Sequence, residues 1–149
     1  MKRRVLISIV LVSIMAGVSG CGPTLEERQQ KANSQYDIGA SELNRGNFAE
    51  ALKKFEKARE INPDDPKIYD GLGLVYWYQK QYQNAIAEFK KALRLDPNFT
   101  DAHHNLGASY AQLKQWDAAI EEFNIATNDP FYEARYKAHY NLGAALLEK

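Results

Sequence analysis

The sequence predicts an all-α protein: an α-solenoid of about three and a half helix–turn–helix repeats, preceded by a leader segment. Three observations carry this. Gly39, Gly73 and Gly107 stand 34 residues apart, as do Ala51, Ala85 and Ala119, Phe55, Phe89 and Phe123, and Ala58, Ala92 and Ala126. A period of this length, built from helix–turn–helix units, describes a stack in which each unit buries its apolar face on its neighbours. Within each unit, small and large apolar residues recur at i, i+3, i+4 and i+7, one face of a helix. Pro63 and Pro97 then stop helices, and Asp65-Pro66 opens one with an N-cap followed by proline at its first position.

Composition narrows the function. The 149 residues include 19 basic and 19 acidic side chains, a formal net charge of zero, which gives no electrostatic basis for holding nucleic acid. The 45% hydrophobic content suffices for a packed core, and the single cysteine excludes an intramolecular disulfide.

The amino terminus divides at Cys21. Lys2, Arg3 and Arg4 precede an uncharged run of 16 residues, Val5 to Gly20, short of the roughly 20 that a spanning helix needs. A basic start, an apolar middle and small residues before a break describe a secretory signal peptide over 1–20. Val18-Ser19-Gly20-Cys21 resembles the lipobox of bacterial lipoproteins. The resemblance implies that the Cys21 thiol receives a diacylglyceryl group, that the chain is cut before Cys21, and that the new amine is acylated. Two or more acyl chains anchor a protein stably, whereas one does so marginally. Gly22 follows the cysteine where many inner-membrane lipoproteins have aspartate, so the expected location is the outer membrane, facing the periplasm. Residues 21–31 then form the lipidated cysteine, a short tether and a helix start, because Thr24-Leu25-Glu26-Glu27 has capping-box spacing.

Residues 32–65, 66–99 and 100–133 resemble three tetratricopeptide repeats, and 134–149 the first helix of a partial fourth. In that family a small residue at the eighth position, here Gly39, Gly73 and Gly107, lets the first (A) helix approach its neighbours. The two alanine series do the same for the second (B) helix. Ile38, Leu72, Leu106 and the three phenylalanines fill the spaces between. The first repeat departs from the pattern at Gln35 and Glu42, where large apolar groups are usual; Glu42 reads as a partly solvated cap residue. After the third repeat the glycine interval widens from 34 to 36, so the connection gains two residues before Gly143. The last helix carries Tyr140, Leu142, Ala145, Leu146 and Leu147 around much of its circumference. Terminal repeats need a polar outer face, so either the chain is a shortened member of a longer family or that face meets a partner.

No nucleophile–base motif, phosphate-binding glycine loop or metal-ligand cluster is present in the sequence, which reads as a non-enzyme without cofactor, metal or small-molecule substrate. The adjacent His103 and His104 point about 100° apart on a helix and cannot chelate one ion. His103 and His139 fall at the fourth position, a half-buried packing slot.

What remains is a surface for protein partners. In the family, the groove is lined by the second, fifth, ninth and twelfth positions of each A helix. Here these are Asn33, Tyr36, Ala40 and Leu43, then Lys67, Asp70, Leu74 and Trp77, then Asp101, His104 and Ala108, with Tyr140 on the last helix. Asn105 and Asn141, at the sixth position, offer amides that can grip a peptide backbone. The carboxylate clamp of chaperone-binding members requires cationic and amide side chains where this chain has Tyr36, Ala40, Gly71, Asp101 and Asn105, so four of its five contacts are missing.

The lipobox, the short tether and the interrupted connection after the third repeat are similar to those of type IV pilus pilotins. These outer-membrane lipoproteins help a secretin reach its membrane and form its ring, and they carry more repeats than are found here. The resemblance implies secretin subunits as partners. A general envelope scaffold for peptidoglycan enzymes or assembly factors, and a regulatory subunit of an envelope enzyme, are other uses of the same fold.

Overall fold

The computed structural model describes residues 22–149, so the signal peptide and Cys21 lie outside the described residues. Seven α-helices follow one another in that span: α1 Leu25–Asn44, α2 Phe48–Ile61, α3 Pro66–Tyr78, α4 Tyr82–Leu95, α5 Thr100–Gln112, α6 Trp116–Asn128 and α7 Arg135–Glu148. They pack as the pairs α1/α2, α3/α4 and α5/α6, with α7 laid on the last pair. Odd-numbered helices touch one another along one side of the stack. Among the described residues no helix is long and apolar enough to cross a membrane.

Local signals set the helix boundaries. The Thr24 N–H donates to Glu27 Oε2 at 2.7 Å, and the Glu27 N–H donates to Thr24 Oγ1 at 3.1 Å, a complete capping box. The Asp65 carboxylate accepts from the Lys67 N–H at 3.0 Å, ahead of Pro66 at the first position of α3. Pro63 and Pro97 each stand one residue past the C-cap of a B helix. The tight turn inside each repeat places one residue in the left-handed region: Gly46 (φ 80°), Lys80 (φ 61°) and Lys114 (φ 57°). Glycine adopts this without penalty, while each lysine costs about 1 kcal/mol.

The core is a ladder of phenylalanines seated on glycines. Phe55, Phe89 and Phe123 are each at most 1% exposed, and both alanine series are wholly buried. A methyl group on Gly39 would come within 2.9 Å of the Phe55 ring, on Gly73 within 2.5 Å of Phe89, and on Gly107 within 2.8 Å of Phe123. Phe55 also leans on the next repeat, because a methyl on Gly71 would stand 2.7 Å from its ring. Burying one such ring contributes roughly 1.5–3 kcal/mol.

Several residues depart from the repeat frame, each for a reason of position. Leu72 and Leu106 are buried as expected, but Ile38 is 40% exposed, since no repeat precedes α1 to cover it. Glu42 accepts from Asn47 Nδ2 at 2.7 Å and from Arg45 at 2.8 Å, and the Asn47 bond leads in holding its pKa below the usual range. On α7, Leu142 and Ala145 turn inward onto the Phe123 cluster rather than outward, leaving Tyr136, Tyr140, Leu146 and Leu147 exposed. His139 is exposed, unlike its counterpart His103, because no B helix lies against it among the described residues.

The four aligned glycines supply an internal comparison. Gly73→Ala is expected to lower stability by about 1–3 kcal/mol through overpacking, despite alanine's helix preference of roughly 1 kcal/mol. Gly143, with nothing within 4 Å of an added methyl, keeps only that preference and gains stability on mutation to alanine. Urea unfolding followed by circular dichroism distinguishes the two; similar effects at both sites would contradict the seating.

Candidate functional site

The side of the stack formed by the A helices carries a run of depressions. One, of about 310 Å³, is lined by Leu74, Trp77, Tyr78, His104, Asn105, Ala108, Lys137 and Asn141. It adjoins a second, of about 420 Å³, through the shared Trp77, Ala108 and Asn141, and this one extends past Trp116 to Ala144 and Glu148. Six of the residues singled out in the sequence therefore converge on one groove. Asn33, Tyr36 and Lys67 meet at a separate depression of about 280 Å³ together with Gln29, Asp37 and Asp65.

The remaining predicted positions lie elsewhere. Ala40 and Leu43 pack against the Phe55 cluster, and Tyr36 lays its ring 5.4 Å from that of Phe55. Asp101 belongs to a hollow at the α5–α6 end of the stack with Asp129 and Tyr132. Tyr140 is 77% exposed and lines none of these depressions.

The two sixth-position asparagines tie neighbouring repeats together. Asn105 Nδ2 donates to Asp70 Oδ1 on the preceding A helix at 2.9 Å, and Asn141 Nδ2 donates to His104 Nε2 at 2.9 Å in the same geometry one repeat later. Their amide nitrogens are thus committed within the stack, leaving the oxygens to face a ligand. With Nε2 accepting, neutral His104 carries its proton on Nδ1 and donates to the Tyr132 hydroxyl oxygen at 3.1 Å. Burial holds the His104 pKa below its usual value, consistent with the neutral ring. Gly71 occupies the sixth position of the second repeat, so the first seam has no such tie, and Phe55 fills that space instead.

His103 is in the opposite state. Its Nδ1 lies 2.6 Å from Glu122 Oε2 and its Nε2 lies 3.0 Å from the Pro97 carbonyl. Both partners accept, so both ring nitrogens donate and the imidazole is cationic. The Glu122 hydrogen bond is the main cause raising its pKa. The neighbouring histidines face different helices, and among the described residues no group of three His, Cys, Asp or Glu side chains is placed to hold a metal ion.

Acid dominates the amino-terminal part of this surface. Burial raises the Asp70 pKa to about 7, with Asn105 opposing the shift and Asp101 adding to it. Burial likewise raises Tyr36 to about 12, and Asp70, Asp65, Asp101 and Asp37 add to the rise. The sequence did not reveal Gln112, Trp116 or Tyr132 as parts of this surface. Tyr132 sits in the lengthened connection, and the two extra residues there were its only signal.

Stacked A/B helix pairs, with a groove along the A helices, define a helix–turn–helix repeat solenoid. The chain belongs to the tetratricopeptide repeat family: the TPR repeat model matches residues 39–80 and 77–114. No curated protein matches it. Among solved structures, it is similar to the first TPR of Spaghetti (RPAP3) bound to an HSP90 peptide, at 20% identity and TM-score 0.76, over 80% of this chain and 95% of that one. The TPR2B domain of yeast Sti1 in complex with an Hsp70 peptide gives 18% identity and TM-score 0.75, over 80% and 99%. Pseudomonas aeruginosa pilF gives 26% identity and TM-score 0.78, over 81% of this chain and 55% of pilF.

The buried Asp70 makes a pH prediction. Its folded pKa of about 7 exceeds the ordinary 3.8, so the folded state retains a proton that the unfolded state releases. Its contribution is therefore present below pH 3.8 and is lost as pH rises through about 7. Raised His103 contributes a loss of the same sign above 6.5, so the readout is wild type against Asp70→Asn. The variant is expected to show a flatter profile and, at pH 8, a gain on the order of 1–3 kcal/mol. Parallel unfolding profiles for the two proteins would contradict it.

Proposed function

We propose that this protein is a lipid-anchored periplasmic adaptor, without catalysis of its own, that holds a segment of a protein partner in the groove between Trp77 and Asn141. The observation carrying this is the groove's construction. Aromatic and small side chains line it, and the Asn105–Asp70 and Asn141–His104 ties fix its shape before any partner arrives. The Trp77 indole N–H is buried without an acceptor among the described residues, at a cost of about 1–3 kcal/mol. A small rotation of the indole towards a partner's carbonyl would remove that cost.

The comparison proteins bound to HSP90 and Hsp70 peptides share the fold. This chain places Asp101 and the buried Asp70 on the surface where a clamp would hold cations, so a terminal carboxylate is disfavoured here. An uncharged or basic segment fits better.

Pilus biogenesis is the particular role we assign: assistance to secretin assembly at the outer membrane. The lipobox at Cys21, the short tether and the lengthened connection support it, as does the likeness to Pseudomonas aeruginosa pilF at 26% identity. The lipid on Cys21 would hold the groove close to the membrane, since α1 begins at Leu25.

Two variants test this together. Cys21→Ser is expected to move the protein from the membrane to the soluble periplasmic fraction; retention in the membrane would contradict the anchor. Ala108→Arg places a long side chain in the groove without removing a core contact. It is expected to keep wild-type stability within about 0.5 kcal/mol while losing secretin in an affinity pulldown from crosslinked envelopes. Recovery of peptidoglycan enzymes or assembly factors in place of secretin would move the protein to the general scaffold class, and an unchanged profile for Ala108→Arg would remove the groove from the account.

A further inference from the structure

Helix α7 offers a receptor site that the other A helices have already filled. In each complete repeat, the eighth-position glycine receives a phenylalanine from the B helix of its own repeat: Phe55 on Gly39, Phe89 on Gly73, Phe123 on Gly107. Gly143 holds the equivalent place on α7, and nothing lies within 4 Å of a methyl built there. Around this notch, Tyr136 is 69% exposed and Leu146 is 56% exposed. The surface is continuous with a formed interface, because Ala145 and Leu142, on the adjoining face of the same helix, pack into the Phe123 cluster.

The third repeat shows what chemistry covers such a face. Helix α6 lays Phe123 into the Gly107 notch, flanks it with the buried Ala119 and Ala126, and turns Glu122 to the cationic His103 at 2.6 Å. His139 occupies on α7 the position that His103 occupies on α5, and it is exposed. Notch, apolar rim and histidine thus repeat together, and the complement to all three is one helix: small residue, three positions to glutamate, phenylalanine next, small residue three further on. Bulky residues at the small positions would hold the helix axes apart and keep the ring out of the notch.

We propose that the Gly143 face of α7 is a second binding site, distinct from the groove, which takes in trans an amphipathic helix of a partner protein with this Ala-x-x-Glu-Phe-x-x-Ala pattern. The aromatic ring enters the notch and the glutamate meets His139. The site does not depend on the groove's occupant, since it lies on the edge of the stack where the next B helix would stand.

The probe is a fluorescein-labelled synthetic peptide of Gln115–Asp129, QWDAAIEEFNIATND, titrated with the full chain and followed by anisotropy. Saturable binding is expected, weakened about tenfold or more by Gly143→Leu in the protein or by Phe123→Ala in the peptide. Weakening by Glu122→Gln in the peptide, absent when His139 is changed to Ala, is expected as the signature of the ion pair. Gly143→Leu meets open space and improves helix propensity, so its melting curve is expected to match or exceed wild type. No binding, binding insensitive to Gly143→Leu and to the peptide's phenylalanine, or sedimentation of the chain as a dimer through α7 would each overturn the proposal.

Discussion

The seating of a phenylalanine ring on a glycine, repeated three times at one spacing, is the contact on which the rest of the structure depends. It sets the distance between the two helices of each repeat. With that distance fixed, the alanines at both flanks pack without gaps, and the A helices fall into a row whose outer side is the groove. A ring that could not descend would part the helices by the thickness of a methyl group, and interiors packed as densely as crystals do not absorb such a change locally. Phe55 extends the device across a seam by leaning on Gly71. The second and third seams use hydrogen bonds instead, from Asn105 to Asp70 and from Asn141 to His104. The stack therefore changes from an apolar to a polar seam along its length, and the groove lies at the polar end.

The two ends of the array solve the same problem differently. Exposure at α1 is met by polar substitution: Glu42 replaces an apolar residue and is held by Asn47 and Arg45. The capping box at Thr24 secures the helix ahead of the first repeat. No comparable substitution covers α7, where Tyr136, Tyr140, Leu146 and Leu147 face outward. That asymmetry assigns the amino-terminal end to a solvated cap beside the membrane and the carboxy-terminal end to contact.

Much of the fold was legible in the sequence because its determinants are local or strictly periodic. The 34-residue spacing gave the helix pairs, Thr24 and Glu27 gave the start of α1, and Asp65-Pro66 gave the start of α3. Less of the site was legible. Position in the repeat identifies which side chains face the groove, but it says nothing about which of them are already engaged. Asn105 and Asn141 read as ligands for a peptide and prove to have their amide nitrogens committed to neighbouring repeats. Tyr36 and Leu43 read as groove residues and pack on the core, since the first repeat has no predecessor to share that work. Tyr132 could not be found from periodicity because it stands in the segment where periodicity breaks. Lys80 and Lys114 hide a left-handed turn that only Gly46 advertises.

A double-mutant cycle on Gly73 and Phe89 tests the central constraint most directly. Stability would be measured by urea unfolding for wild type, Gly73→Ala, Phe89→Leu and the double variant. If the ring sets the helix distance, the added methyl is harmful only while the ring is present, and the two changes couple favourably by about 1 kcal/mol or more. Effects that add within about 0.3–0.5 kcal/mol would show that Gly73 is needed for some reason other than Phe89, and the account of the stack would fail.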